Sequence, residues 1–302
     1  AYDALGRLAS VTDAEGNVTS YGYDWMGQTL WVNHPASGTT SYMYAPAGNV
    51  LSKRTADMSL VDTALTYRYD YDWLTGVSHP LHTEEDVAYV YGERNANDNG
   101  KGRLTLRIDG SGAVAYRYDA QGMVSSEKRS VAVPGQGWLT FTTQYEYDSF
   151  GRLMSITYPD DEHVRYRYDR GGALDSVCGI KTHEYPYVTA LRYDKFGNRT
   201  YARYGNGLDT YLTYDINRRL SRLRVNDGSN EVVNNVYGYD YVGNVTDITS
   251  TTTPRTVGAR GGLVDHIYVY DPLNRLTNAS GYFEGNGGRE ATYSLTMSYD
   301  DL

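Results

Sequence analysis

A tyrosine followed by an aspartate recurs along the whole chain, and this repeat constrains the fold more than any other feature. Thirteen anchor tyrosines mark it: Tyr2, Tyr23, Tyr44, Tyr71, Tyr91, Tyr118, Tyr147, Tyr168, Tyr193, Tyr214, Tyr239, Tyr270 and Tyr299. Aspartate follows all of them except Tyr44 and Tyr91, where Ala45 and Gly92 stand instead. Two residues before the anchor there is usually another tyrosine, as at Tyr21, Tyr116 and Tyr237; Leu191, Leu212 and Met297 are the exceptions. Residues two apart share one face of a strand, whereas on a helix they diverge. Four residues after the anchor a glycine dominates, as at Gly6, Gly27, Gly122, Gly151, Gly197 and Gly243; Asn95 and Asn274 take the position twice. Glycine and asparagine tolerate the positive φ of a tight turn, and the aspartate can bond the N–H groups beyond it. An apolar residue two positions later, such as Leu8, Val124, Leu153 or Leu220, begins a returning strand. Each repeat is therefore predicted to be a β-hairpin plus a connecting turn, and the series to be one long antiparallel ribbon.

Two places depart from the pattern. After Tyr71 the glycine, Gly76, comes one residue late, and between Thr251 and Gly262 the alternation gives way to a longer loop.

Composition narrows the architecture. The chain has 32 Tyr against 4 Phe. A dry core accepts phenylalanine as readily; a fold that needs flat rings with a wet or hydrogen-bonded tip prefers tyrosine. The net charge of −9 excludes a sequence-general nucleic-acid binder, and Lys128–Arg129 and Arg218–Arg219 are too short to alter that. No run approaches the length of a membrane span. The single cysteine, Cys178, cannot form an internal disulfide.

The heptads Tyr2-Asp3-Ala4-Leu5-Gly6-Arg7-Leu8 and Tyr147-Asp148-Ser149-Phe150-Gly151-Arg152-Leu153 resemble the signature of the RHS/YD-repeat family, and the resemblance covers the chain from end to end. That family includes bacterial Rhs-type polymorphic toxins, insecticidal toxin-complex subunits and animal teneurins. The resemblance implies a β-strip that spirals into a hollow shell, enclosing a C-terminal toxic domain in the bacterial proteins and serving adhesion in teneurins. It further implies an Asp-Pro-x-Gly-rich autoproteolytic core after the repeats. Here only Asp271-Pro272-Leu273-Asn274 comes near it, and these residues align with an ordinary repeat turn.

Several residue groups were weighed as chemistry. Asn95-Ala96-Asn97-Asp98-Asn99-Gly100 resembles the start of a calcium loop, but position twelve would be Leu106 where a bidentate carboxylate is needed. His79 and His82 with His34 could suggest zinc, yet cysteine and a helix are missing. Cys178 and His183 could be imagined as nucleophile and base. Asp160-Asp161-Glu162-His163 and Glu84-Glu85-Asp86 could pair carboxylates. The tyrosine rows could stack on sugar rings. Cys178 is read as a buried, inert thiol in one strand, and in every other case a turn, a solvated loop or the repeat itself accounts for the residues. No catalytic, cofactor-binding or metal residues are expected, and the segment is expected not to be an enzyme.

The expected fold is thus all-β: tandem antiparallel hairpins in a continuous curved sheet, with residues 1–302 a single repeat array cut from a larger shell and no separate catalytic domain. The expected role is a shell segment that encapsulates a toxin or other C-terminal cargo, or alternatively a cell-surface adhesion or glycan- and protein-recognition module. The implied partners are the remaining repeats and the cargo; nucleic acid and a membrane span are not expected, and the implied location is secreted or at the cell surface. Anchor rings are expected to contact one another across strands, and open edges around Tyr2 and Tyr299 to favour self-association.

Overall fold

The computed structural model describes residues 1–93, 99–250, 252, 262–285 and 289–299. The chain divides into two units, one built on Ala1–Asp160 and one on Asp161–Tyr299. In the first, strands run from Ser10–Thr12 to Leu153–Thr157, and each pairs antiparallel with the next in the chain. The second repeats this arrangement from His163–Tyr168 to Arg289–Thr296. The period-two tyrosine pattern therefore does build hairpin after hairpin.

One register recurs through the regular repeats. The anchor tyrosine pairs with the residue six positions on: Tyr23 with Thr29, Tyr118 with Val124, Tyr147 with Leu153, Tyr214 with Leu220 and Tyr270 with Leu276. At each of these pairs the register shifts by a residue, a β-bulge placed at the anchor. Between lies a short loop closed by two main-chain bonds. In the first repeat Asp3 N–H donates to Arg7 O (2.8 Å) and Gly6 N–H to Asp3 O (3.0 Å). Gly6 has φ of 76°, the left-handed value that this loop requires of its last residue. The same position is held by Asn274 at φ 60° and, less expectedly, by Arg218 at φ 63°.

Little apolar surface is buried. The accessible surface is 19530 Å², where a compact monomer of this mass would expose about 12,700 Å². The buried apolar side chains among the described residues are Val114, Val164, Ala202 and Ala279, and no large side chain is fully buried. With no thick core, cohesion falls to main-chain ladders and to contacts between neighbouring hairpins, as in other repeat proteins.

The structure adds one short helix to the expected strands and changes two of the expected turns. A short helix, Ala56–Leu60, interrupts the strands in the long interval after Tyr44. Thr55 caps it, accepting from Met58 N–H at 3.4 Å, and five residues are too few to show helical periodicity. A 3₁₀ turn follows at Thr83–Glu85. Second, Tyr71 is not an anchor. The strand Leu65–Asp70 ends before it, Tyr71 sits at the turn with φ 52° and is 92 % exposed, and Asp70 pairs directly with Trp73. Tyr69, paired with Leu74, is the anchor of a loop one residue shorter than the rest, which explains the late glycine: Gly76 lies inside the strand Trp73–Ser78. Third, the turn after Tyr91 has its own glycine, and the expected turn residue Asn95 lies outside the described residues. Gly102 holds that position at φ 68°, Gly92 N–H donates to Arg103 O (2.9 Å), and Tyr91 pairs with Leu104 across an enlarged loop.

Candidate functional site: the clamp between successive turns

The aspartate after the anchor organises its loop from within. In the turn at Asp3, Oδ1 accepts from Leu5 N–H and Arg7 N–H, both at 2.9 Å. Asp24, Asp119, Asp148, Asp194 and Asp240 do the same for the N–H groups two and four residues on. The second oxygen then takes the side chain at the fourth residue. Arg7, Arg219 and Arg275 place Nε 2.7, 2.7 and 2.6 Å from their aspartates; Asn198 and Asn244 donate Nδ2 at 2.8 Å.

These bonds hold the carboxylates ionised. The Arg7 N–H keeps Asp3 below the usual range against the opposing effect of desolvation, and the Asn198 side chain does so for Asp194. At Asp148, Asp215 and Asp271 desolvation is the largest single influence and pushes upward, but the arginine and main-chain donors together outweigh it.

The same arginine reaches forward into the next repeat. Arg7 Nη1 donates to Asp24 O at 2.8 Å, and its guanidinium carbon lies 4.8 Å from the centre of the Tyr23 ring. Arg219 donates to Asp240 O at 3.0 Å and lies 4.5 Å over Tyr239. Arg275 covers Tyr299 at 4.8 Å and Arg103 covers Tyr118 at 5.6 Å. One side chain thus binds its own aspartate, the following turn and the following anchor.

The anchor answers with its hydroxyl. Tyr23 Oη donates to Leu8 O (2.9 Å), Tyr44 to Thr29 O (2.8 Å), Tyr118 to Leu104 O (2.6 Å), Tyr214 to Arg199 O (2.8 Å), Tyr239 to Leu220 O (2.7 Å), Tyr270 to Val245 O (2.9 Å) and Tyr299 to Leu276 O (2.7 Å). The acceptor in every one of these is the residue paired with the preceding anchor. In the first repeat the last main-chain rung between hairpins is Tyr21 N–H to Ala9 O, at 2.9 Å. Leu8 O lies one step past it, and the phenol supplies the donor that phenylalanine could not. This accounts for the excess of tyrosine over phenylalanine. Burial of the ring raises the hydroxyl pKa at Tyr44, Tyr118, Tyr239 and Tyr270, so the donor proton is retained.

The expected row of mutually stacked anchors is not what the clamp uses. Ring contacts join Tyr42 to Tyr44 at 6.5 Å and the cross-strand pair Tyr201 and Tyr211 at 5.2 Å, while the anchors above meet arginines and carbonyls. The signal that sequence reasoning missed was the arginine itself. It stands in Gly6-Arg7-Leu8 and Gly151-Arg152-Leu153, five residues after the anchor, and recurs at Arg219 and Arg275.

The groups considered as chemistry each have local partners. His34 Nδ1 accepts from Ala36 and Ser37 N–H at 3.3 and 3.4 Å within its own hairpin tip. His82 meets Glu84 at 3.1 Å, and Asp86 accepts from Ser78 Oγ (3.1 Å) and His79 N–H (2.6 Å), so this acidic run ties a loop to the strand Trp73–Ser78. Glu162 receives the hydroxyls of Tyr185 and Tyr187. Cys178 lies in the strand Leu174–Ile180, where burial and a bond to Glu184 push its thiol pKa up, away from a nucleophilic thiolate. His183 contacts Thr182 Oγ1 at 3.1 Å and the ring of Tyr185. Of the calcium-like run, Asn95–Asp98 lie outside the described residues; Asn99 Nδ2 donates to Tyr118 O at 3.1 Å. Among the described residues no three His, Cys, Asp or Glu side chains stand close enough to share a metal ion, and no helix is long and apolar enough to cross a membrane.

Comparison with known proteins agrees with this geometry. The RHS Repeat family model matches residues 2–28 and 147–176. Toxin protein Tse5 of Pseudomonas aeruginosa is 27 % identical over 262 residues, covering 86 % of this chain and 16 % of Tse5. Human Teneurin-4 is 24 % identical over 295 residues, covering 92 % of this chain and 10 % of that protein. Among solved structures, the crystal structure of TcdB2-TccC3 superposes with a TM-score of 0.77 at 18 % identity, over 99 % of this chain and 18 % of that one. The chain thus spans less than a fifth of the length of each of these proteins.

Proposed function

We propose that this chain, which matches the RHS Repeat model at residues 2–28 and 147–176 and resembles the RHS/YD-repeat family, forms part of the wall of a shell enclosing a toxin or other C-terminal cargo in a large bacterial protein of that family. The observation that carries the reading is the clamp. Each turn is bonded to the next by an arginine, a tyrosine and a main-chain ladder, and almost nothing is buried behind them. Such a device extends a sheet by one hairpin at a time, which suits a barrier. The likeness to a bacterial toxin and to the TcdB2-TccC3 fold supports the same role.

Residues 1–302 are read as one array without a catalytic domain, because the repeat keeps its phase: Tyr147 pairs with Leu153 and Tyr168 with Leu174. The proposed partners are further repeats and the cargo, with a second copy joining through edges near Tyr2 and Tyr299. The proposed location is secreted or at the cell surface. Resemblance to Teneurin-4 over 92 % of the chain favours, as a second reading, a cell-surface adhesion module.

Limited proteolysis of the complete polypeptide tests the proposal. The cargo should resist cleavage in the intact protein and become sensitive when the clamp is weakened by Tyr118→Ala and Tyr239→Ala together. A cargo equally sensitive with and without this segment would overturn it, and saturable binding of the chain to a glycan or cell-surface protein would favour the adhesion reading.

A further inference from the structure

One hairpin outruns its neighbour. Strand Gly137–Tyr147 pairs with Val124–Val133 on one side as far as the hairpin tip, where Gly137 stands opposite Val133. On the other side its pairing with Leu153–Thr157 stops at Gln144. Within its own unit, residues 137–143 therefore form a free edge in the middle of the array. Alternation along the strand fixes which main-chain groups point outward. Ala132 N–H donates to Ser111 O (3.3 Å), away from this strand, so Val131 and Val133 face it and bond Leu139 and Gly137. At the far end Asp148 N–H donates outward to Arg152 O (3.0 Å). Trp138, Thr140 and Thr142, in phase with Asp148, thus turn their N–H and C=O groups to the open edge.

Free edges are ordinarily blunted by charge, proline, a bulge or a cover, and other overhangs in this chain follow that rule. Gly38–Tyr44 outruns the next strand where the helix Ala56–Leu60 lies, so near that a Cβ on Gly38 would come within 2.7 Å of the Ala56 Cβ. The overhang of Glu184–Tyr193 carries Glu184 and Pro186, and Tyr187 O accepts from Gly205 N–H at 2.9 Å. That of Asn230–Tyr239 carries Glu231. The edge at 137–143 reads Gly-Trp-Leu-Thr-Phe-Thr-Thr, without charge or proline, and its pairing with Val124–Val133 has no bulge. Its apolar side chains are out: Trp138 is 65 % exposed, Phe141 44 % and Leu139 37 %.

We propose that this edge pairs antiparallel with the same edge of a second copy, about a two-fold axis at Thr140. The register argues for that occupant. An axis at Thr140 sets Thr140 against Thr140 and Trp138 against Thr142, so every outward-facing residue meets an outward-facing residue and each pair exchanges two main-chain bonds. On the opposite face the same axis sets Leu139 against Phe141, covering both exposed side chains. No like charges are brought together, because the segment has none. The pairing ends at Gly137 opposite Thr143, the length of the free edge. This contact is distinct from the edges near Tyr2 and Tyr299: it belongs to one interior hairpin, so repeats added at either end leave it in place. It holds whether the chain encloses a cargo or serves adhesion.

Sedimentation equilibrium of the 302-residue chain tests this, with hydrogen exchange as the local readout. The chain should dimerise reversibly, and more tightly as salt screens the repulsion between two chains of charge −9. The Trp138, Thr140 and Thr142 amides should gain protection with concentration, while those of Leu139 and Phe141, already bonded within the hairpin, stay unchanged. Thr140→Pro removes an outward donor and leaves the ladder to Val124–Val133 intact; it should weaken the dimer by about tenfold or more. Thr140→Lys and Thr140→Glu chains should each be monomeric alone and form a mixed dimer when combined, since the axis sets position 140 against itself. Residue 140 is exposed, so these two variants carry the test if Thr140→Pro disturbs the fold. A parent chain monomeric to about 1 mM overturns the proposal and leaves the edge to a foreign extended segment. A dimer that all three substitutions leave intact overturns it equally and places the contact on another edge.

Discussion

The turn at Asp215 and the turn at Asp70 solve one problem in two ways. At Asp215 the loop has its full length, Arg219 bonds Asp215 at 2.7 Å, crosses to Asp240 O and covers Tyr239, and the chain needs nothing from outside. At Asp70 the loop is one residue shorter, Trp73 replaces the arginine, and the aromatic half of the clamp survives while the ionic half does not. The difference teaches which part holds successive hairpins together. The tyrosine hydroxyl bond to the preceding strand is present in both, at 2.7 Å for Tyr239 and 3.1 Å for Tyr91. The phenol bond and the ladder are thus common to both turns, and the arginine is an addition that neutralises the aspartate.

If so, removing an anchor should cost most. Tyr239→Ala deletes a half-buried ring, its cation–π contact and its hydroxyl bond, and is expected to destabilise its region by about 3 kcal/mol. Tyr71→Ala, at a residue outside the strands, should change stability by less than about 0.5 kcal/mol. Hydrogen exchange of amides in the strands Leu220–Asp227 and Leu65–Asp70 reads the two locally; equal losses of protection would break the distinction between anchor and turn residue.

A smaller effect isolates the hydroxyl. Tyr239→Phe and Tyr91→Phe should each cost about 1 kcal/mol, since each leaves a strand carbonyl without its donor. Urea melts check this, and a loss at Tyr239 alone would show that the bond matters only where the arginine is present.

Smaller still, and opposite in sign, is backbone relief. Tyr71 and Arg218 both hold φ near 60° without being glycine. Tyr71→Gly should stabilise by about 0.5 kcal/mol, the left-handed strain removed exceeding the entropy lost. Arg218→Gly should gain less, because the Arg218 guanidinium also lies 5.6 Å from the Phe196 ring. Thermal melts showing both substitutions destabilising would mean that the loops are not strained.

The smallest effect per turn is that of pH. Asp3, Asp148, Asp194, Asp215, Asp240 and Asp271 all titrate below the ordinary 3.8 when folded. A depressed carboxylate stabilises the folded state above its unfolded pKa, and that contribution is lost as pH falls through the folded one. Stability should be flat from neutrality to about pH 5 and decline below about pH 4. Each contribution is small because these groups face solvent, but many act together. Asp215→Asn should flatten the acid limb slightly; an acid limb identical to the parent's would show that the ionic half of the clamp adds nothing to stability.

The repeat was legible because its signals are local. Tyr-x-Tyr fixes a strand face, Asp bonds N–H groups two and four residues on, and Gly6 or Gly122 supplies the left-handed residue, so hairpin, loop and register follow from seven consecutive residues. The helix Ala56–Leu60 is not legible in sequence because a single capped turn carries no periodicity, and Tyr71 reads as an anchor because Tyr69-Asp70 and Tyr71-Asp72 present the same dipeptide two residues apart. Only pairing distinguishes them: Asp70 opposite Trp73 leaves Tyr71 no strand to join.

By itself, then, the sequence determined the all-β class, the antiparallel hairpins and the need for a polar tip on nearly every ring. Tertiary structure alone decided where those tips go. The partner of Tyr23 is the carbonyl of Leu8, fifteen residues away, and that of Tyr239 is the carbonyl of Leu220. A carbonyl has no sequence identity, so nothing in the letter at either position announces the bond. The two roles of Arg219, toward Asp215 in its own loop and toward Tyr239 in the next, likewise arise only once neighbouring hairpins are laid side by side.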